Sequence, residues 1–173
     1  MTLFADVWIP DATPIILLGK IGLVSLLMDH GGRVIIPRAV ADEINNAGPE
    51  DLGRAALVEM SQSKFTHQYA PKPRATVEMF ELDAGEAAVL TAALDQIHFH
   101  RSVLVVMDEA KGRVGAKMLG LETIGTVGLL IRARDAGKIE ALVPYLHALR
   151  RVGAWLSPDF CERVAGSVGE TWP

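Results

Sequence analysis

SVLVVMDEAKGRVGAKMLGLETIGT, residues 102–126, is the stretch whose reading decides the fold. Its β-branched run at 103–108 predicts a strand, 109–119 carries a helical pattern, and ETIGT (122–126) reads as a second, short strand. Strand, helix and strand in succession make a βαβ unit, the building block of a parallel sheet. The same alternation runs back to the start of the chain. DVWIPD (6–11) predicts the first strand, with Thr13 as N-cap of the next helix and Pro14 at its first position. IILLGKIGLVSLLMDH (15–30) reads as one largely buried helix that breaks at Gly31-Gly32. RVIIPR (33–38) is the next strand. A helix from Ala39 stops near Gly48, and Pro49, Glu50 and Asp51 start a third helix to about Ser61. Residues 63–82 are the least regular: FTHQYA (65–70) predicts an edge strand, and Pro71 and Pro73 a loop, a proline spacing unsuited to a central strand. A helix at 84–97 leads into the quoted unit. The tail from Val127 is helical and is interrupted at Gly137, Pro144, Gly153 and Pro158.

Half of the 173 residues are hydrophobic and 22% are charged, the balance of a compact globular chain of one domain. The longest apolar runs have strand length, well short of a membrane span. Asp6 and Asp11 interrupt any leader-like start, and the single Cys161 has no internal disulfide partner. These readings predict a soluble cytoplasmic protein. A net charge of −4 argues against a generally basic nucleic-acid coat, although a divalent metal would neutralise several acids and local basic clusters remain, among them Lys111, Arg113 and Lys117.

Four acids stand out within this framework. Asp11 ends the first strand, Glu43 lies in RAVADEINNAG (38–48), Glu86 opens the helix of ELDAGEAAVLTAA (81–93), and Asp108 ends the strand of the quoted unit. Each has an ordinary reading. Asp83 and Glu86 fit a capping box, Asp108 could cap the helix that follows it, Asp11 could belong to a turn, and Glu43 could face solvent. Taken together they say more. Asp11 and Asp108 sit at carboxyl ends of strands, where open α/β sheets place ligands. Glu43 follows Val40 by three and borders the inward helix face, whereas Asp42 is rotated by about 100°. Glu86 shares a face with Val89, Leu90 and Ala93. Two carboxylates about 4 Å apart repel by roughly 4 kcal/mol at an effective dielectric near 20. Four together call for a hard divalent cation, magnesium or manganese, and so for phosphodiester chemistry.

Other chemistries find no support. No G-x-G-x-x-G follows a strand, GLETIGT lacks the lysine of a phosphate loop, and no G-x-S-x-G is present. His98 and His100 have no second ligand pair, and Cys161 has no evident histidine partner. An aspartyl-phosphate enzyme would want an acid two residues after Asp11, and Thr13 stands there.

Four pieces in this order, DATPIILLGKIGLVSLL, IIPRAVADEI, LDAGEAAVLTAA and LVVMDEAKGRVGAKMLGLETIGTVGLL, resemble a PIN domain. The resemblance covers about residues 6–130, and a prokaryotic PIN subfamily with a similar helical tail extends it to about 168. It implies a three-layer α/β/α sandwich with a mostly parallel central sheet, spanning 1–173 as one domain with a tail from about 131. It also implies metal-dependent cleavage of RNA, often by the toxin of a toxin–antitoxin pair. The family's acids match Asp11, Glu43, Glu86 and Asp108, and Thr13 stands at its Ser/Thr position. Ala12 replaces a hydroxyl residue of typical toxins, and Glu86 is a longer arm than the commoner Asp. On this reading Asp11 and Asp108 ligate Mg²⁺ or Mn²⁺ directly, Glu43 and Glu86 act partly through metal-bound water, and Thr13 orients water or a phosphate oxygen. The alternative is a PIN-like module that binds RNA or protein without cutting. Apolar residues of the tail (Leu129, Leu130, Leu142, Tyr145, Leu146, Leu149 and Trp155) suggest either packing on the same chain or a homodimer. An antitoxin partner would cover the acidic cleft.

Overall fold

The computed structural model describes residues 5–29, 31–46, 48 and 51–173. Among these, five strands form one all-parallel sheet in the order β3-β2-β1-β4-β5. They are β1 (Val7–Pro10), β2 (Arg33–Pro37), β3 (Thr66–Tyr69), β4 (Val103–Val106) and β5 (Glu122–Ile124). Every residue of β1 and β4 is buried, as a parallel strand covered on both faces requires. The edge strands β3 and β5 are partly exposed. Helices cover the two faces, which makes the α/β/α sandwich that the resemblance implies. Helix α1 (Ala12–Lys20) packs on α3 (Leu52–Ser61), while α5 (Ala84–Gln96) crosses β1, β2 and β4 and packs on α2 (Arg38–Asn46) and α6 (Ala110–Met118). A short α4 (Ala75–Glu78) follows the Pro71–Pro73 loop, within the segment 63–82 read as least regular. No described helix is long and apolar enough to cross a membrane.

The strand order sets the location of chemistry. From β1 the chain moves outward to β2 and β3, then returns to the other side of β1 to lay down β4 and β5. The order therefore reverses between β1 and β4, and the crevice beyond their carboxyl ends is the place where such sheets bind ligands. The seam is tightly held. Val7, Trp8, Ile9 and Pro10 pair with Val103, Leu104, Val105 and Val106, and the Asp11 N–H continues the ladder to the Val106 carbonyl at 2.9 Å.

Local structure departs from expectation at α1. Its N-cap is Asp11, with extended backbone, not Thr13; the helix begins at Ala12 and Pro14 is its third residue. Proline fits there because the first N–H groups of a helix have no intrahelical acceptor. The helix does not run to residue 30. Gly22, at φ +72°, takes the left-handed position, and Gly22 N–H and Leu23 N–H bond the carbonyls of Gly19 and Leu18. This pair of bonds is a Schellman closure. The apolar residues beyond it form a 3₁₀ turn, Val24–Leu27. Helix α3 is capped by Asp51, which accepts from Gly53 N–H at 2.7 Å. The start read at Pro49 and Glu50 lies outside the described residues.

The tail folds as α7 (Thr126–Asp135), α8 (Val143–Arg151) and α9 (Pro158–Ser167), with Pro144 and Pro158 in first turns. Leu129, Leu130, Leu142, Leu146 and Leu149 are buried in the same core as the sheet, together with Cys161. Tyr145 packs against that core, and of the tail's large apolar residues Trp155 alone stands out, 91% exposed. Glu170 fastens the end of the chain: its carboxylate accepts from Leu142 N–H, Val143 N–H and Arg134 Nε, each at 2.9 Å.

Candidate active site

Directly past the β1–β4 seam lies Asp11, 4% exposed. Three acids from two helices come to it. Glu43 arrives from α2, and Asp83 and Glu86 from the start of α5. Gly85 shows how close they come. A β-carbon on Gly85 would lie 2.9 Å from Glu43 Oε2 and 3.4 Å from both Asp11 Oδ1 and Asp83 Oδ1. Any side chain at position 85 would therefore displace carboxylate oxygens from the point where they meet. Asp42, the other acid of α2, points away and faces Arg38 across 3.9 Å at the surface.

The electrostatics follow from that crowding. Burial raises the Asp11 carboxyl to about 7; the Ala12 N–H opposes this, and the charges of Glu43, Asp83 and Glu86 add to it. Glu43 is also raised, by partial burial and then by Asp83 and Glu86, although the residue as a whole is exposed, as the solvent-facing reading of it expects. Glu86 is raised by burial and by the negative charges of Asp83 and Glu109, against hydrogen bonds from the N–H groups of Asp83 and Gly112. Asp11 thus holds a proton near neutrality or needs a cation beside it.

Glu86 has two duties. With Asp83 it forms a full capping box on α5: Asp83 Oδ1 accepts from Glu86 N–H at 2.8 Å, and Glu86 Oε2 accepts from Asp83 N–H at 3.2 Å. Its other oxygen lies under α6, where a β-carbon on Gly112 would come within 2.7 Å of Oε1. The cap reading and the site reading of this glutamate are therefore compatible.

Asp108 is placed differently. It lies two residues past β4, one position beyond Met107, which continues the register opposite Asp11, and both of its oxygens are engaged. Oδ1 accepts from Thr126 N–H at 2.7 Å and Oδ2 from the Thr126 hydroxyl at 2.5 Å. Asp108 therefore caps α7, not the helix that follows it; α6 has Glu109 at its N-cap, without a side-chain cap bond. Its charge is not among those raising Asp11, Glu43 or Glu86. Thr13 lies half-buried in the first turn of α1, and its hydroxyl makes no hydrogen bond among the described residues. His98 and His100 follow the far end of α5.

Among the described residues no group of three or more Asp, Glu, His or Cys side chains is placed so that it could hold a metal ion. The acids converge on the crevice, yet Glu86 is partly held by its cap and Asp108 by Thr126. The donor set remains all-oxygen and anionic around one buried carboxyl, which suits a hard divalent cation. Asp83 is the member that sequence reasoning assigned to capping alone. The signal was present in DAGE, since an N-cap three residues before an inward glutamate starts on the same crevice. Glu109, beside Asp108, contributes through its charge on Glu86.

A family model described as a PIN domain matches residues 7–170. No curated protein matches the chain.

Proposed function

The chain belongs to the PIN domain family, whose members are generally nucleases, and from that premise we propose that it is a metal-dependent ribonuclease. The observation that carries the reading is the meeting of Asp11, Glu43 and Asp83 at Gly85, at the topological switch point and with Asp11 raised to about 7. Asp11, Glu43, Glu86 and Asp108 are the residues that would hold Mg²⁺ or Mn²⁺. Such an ion supplies a polarised phosphate and an acidified water for in-line attack. The protein's own part is positional. Asp11 is fixed by the β1–β4 ladder and Glu86 by its capping box, while Asp108 would have to release the Thr126 N–H or hydroxyl to accept a cation. The free hydroxyl of Thr13 is suited to orient a water or a phosphate oxygen.

Metal linkage tests this reading. At about 100-fold excess over its dissociation constant, a ligand specific for the folded state adds about 2.7 kcal/mol, a rise of about 5–10 °C in melting temperature for a chain of this size. Mn²⁺ should produce such a rise in the wild type and most of it should vanish in Asp11→Asn. An unchanged melting curve at millimolar Mn²⁺ would remove the metal site and favour the rival reading, a PIN-like module that binds RNA or protein without cutting. The full engagement of Asp108 by Thr126 is the observation on that rival's side.

The remaining assignments extend the same proposal. We treat residues 1–173 as one domain, because tail and sheet share a core. A cytoplasmic location fits the unpaired, buried Cys161. Function as a toxin predicts that an antitoxin encoded beside this gene relieves toxicity and co-purifies, with a basic side chain set into the acids. A chain harmless on its own would count against it.

A further inference from the structure

Asp108 is the acid that the structure turns away from the others. It stands in the short connection between β4 and α6, inside neither a strand nor a helix. Its partner is the start of α7, 18 residues further on. Helix α7 needs such a partner, because its N-cap is Gly125, which offers no side chain to the free N–H groups of the first turn. Asp108 supplies both acceptors: Thr126 N–H donates to Oδ1 at 2.7 Å and the Thr126 hydroxyl to Oδ2 at 2.5 Å. The fit is close. A β-carbon on Gly125 would lie 2.8 Å from Asp108 Oδ1, so a side chain there would push the carboxylate from its seat. Thr126 is itself 1% exposed, which leaves water little access to replace its hydroxyl.

We infer that Thr126 is a positioning residue that latches Asp108 onto α7 and out of the crevice, so that Asp108 joins the other acids by giving up the Thr126 hydroxyl. The inference rests on the metal-dependent reading of the site and adds to it a control on when the acids assemble. It agrees with the finding that no three described acids, as they are placed, could hold an ion. Two effects favour the latched state. The N-terminus of a helix attracts negative charge. A fourth carboxylate beside Asp11, Glu43 and Glu86 would add repulsion that only a cation could offset. A cation shifts such a balance by the difference in its affinity for the two arrangements and no further. The Thr126 hydroxyl is therefore part of what cation binding has to overcome.

Calorimetric titration of Mn²⁺ into the full chain, together with thermal melts in EDTA, tests this. Thr126→Val removes the hydroxyl but keeps the branched shape and the backbone N–H, and Thr126→Ala serves if the valine protein fails to fold. The variant should melt below the wild type in EDTA and bind Mn²⁺ about tenfold more tightly, the effect of freeing a charged group from one hydrogen bond. Thr126→Ser keeps the hydroxyl and should match the wild type in both measurements. The gain should vanish when Asp108→Asn is added to Thr126→Val; a gain that survives does not run through Asp108 and overturns the latch. If Thr126→Val melts lower in EDTA yet binds Mn²⁺ as the wild type does, Thr126 only completes the cap of α7, and the inference fails while the metal reading stands. Weaker Mn²⁺ binding by Thr126→Val, restored in Thr126→Ser, would mean that Thr126 presents Asp108 to the cation, which also overturns the latch. If neither the wild type nor any variant binds Mn²⁺, the inference and the metal reading fail together.

Discussion

Asp11 combines deep burial with like-charged neighbours, and this sets a pH dependence with a definite sign. Its carboxyl titrates near 7 in the folded protein, against 3.8 for an unperturbed group. Between those values the folded state holds a proton that the unfolded chain has released. Stability therefore falls as pH rises through that window, by up to about 1.4 kcal/mol per pH unit, and the loss is complete above about 7. The groups facing Asp11 are Glu43, Asp83 and Glu86, and the raised values of Glu43 and Glu86 push the same way. In EDTA, thermal melts from pH 4 to 8 should show the wild type losing stability toward pH 8 and Asp11→Asn losing much less, so that the variant is the more stable protein at pH 8. Parallel curves would mean that Asp11 is not under this strain. The same residue explains what was readable beforehand. That an acid ends β1 is written in DVWIPD, and the helix period separates Glu43 from Asp42. The direction of the Asp108 side chain was not legible, because its partner Thr126 lies 18 residues away.

At the scale of elements, one carboxylate links the end of the chain to α7 and to the start of α8, in addition to the packing of the tail's leucines. Burial alone would raise Glu170, but the N–H groups of Val143 and Leu142 and the Arg134 guanidinium outweigh it, and the carboxyl is held below its usual value. A depressed carboxyl contributes stability above the unfolded value, and that contribution is lost as pH falls through the folded one. Glu170→Gln should therefore cost about 1.5–3 kcal/mol at neutral pH, the range for hydrogen bonds to a charged group, and progressively less in acid. Urea denaturation at pH 7 and below pH 4 checks this; an equal cost at both would show that packing, not charge, holds the tail. Boundaries were the weaker part of the sequence reading, for a physical reason. The apolar run at 15–30 looks continuous, and only the left-handed conformation at Gly22 ends α1, a backbone event that hydrophobic period does not report. Asp11 likewise hides its N-cap role because it also ends a strand.

For the whole molecule, strand order sets Asp11 at the crevice where acids of α2 and α5 come close to it. The parallel sheet was legible from the βαβ alternation, but the order β3-β2-β1-β4-β5 was not, since no local pattern states which strand lies beside which. The order reverses between β1 and β4, where Asp11 and Asp108 emerge, and α2 and α5 bring Glu43, Asp83 and Glu86 to the same crevice. Association is the property on which the tail bears most. Its leucines are buried within the chain, so a homodimer would have to use exposed residues such as Trp155. Light scattering with dilution through the micromolar range should show a dimer that Trp155→Ala weakens; a monomer at every concentration would end that proposal. The most direct test of the central claim is cleavage of a mixed RNA pool by the purified protein with Mn²⁺ and with EDTA. The wild type should cut only with metal, Asp11→Asn should not cut, and Glu43→Gln should be slowed by about tenfold or more while Asp42→Asn stays near wild type. RNA left intact by the wild type with Mn²⁺, or cut equally by Asp11→Asn, would contradict the account.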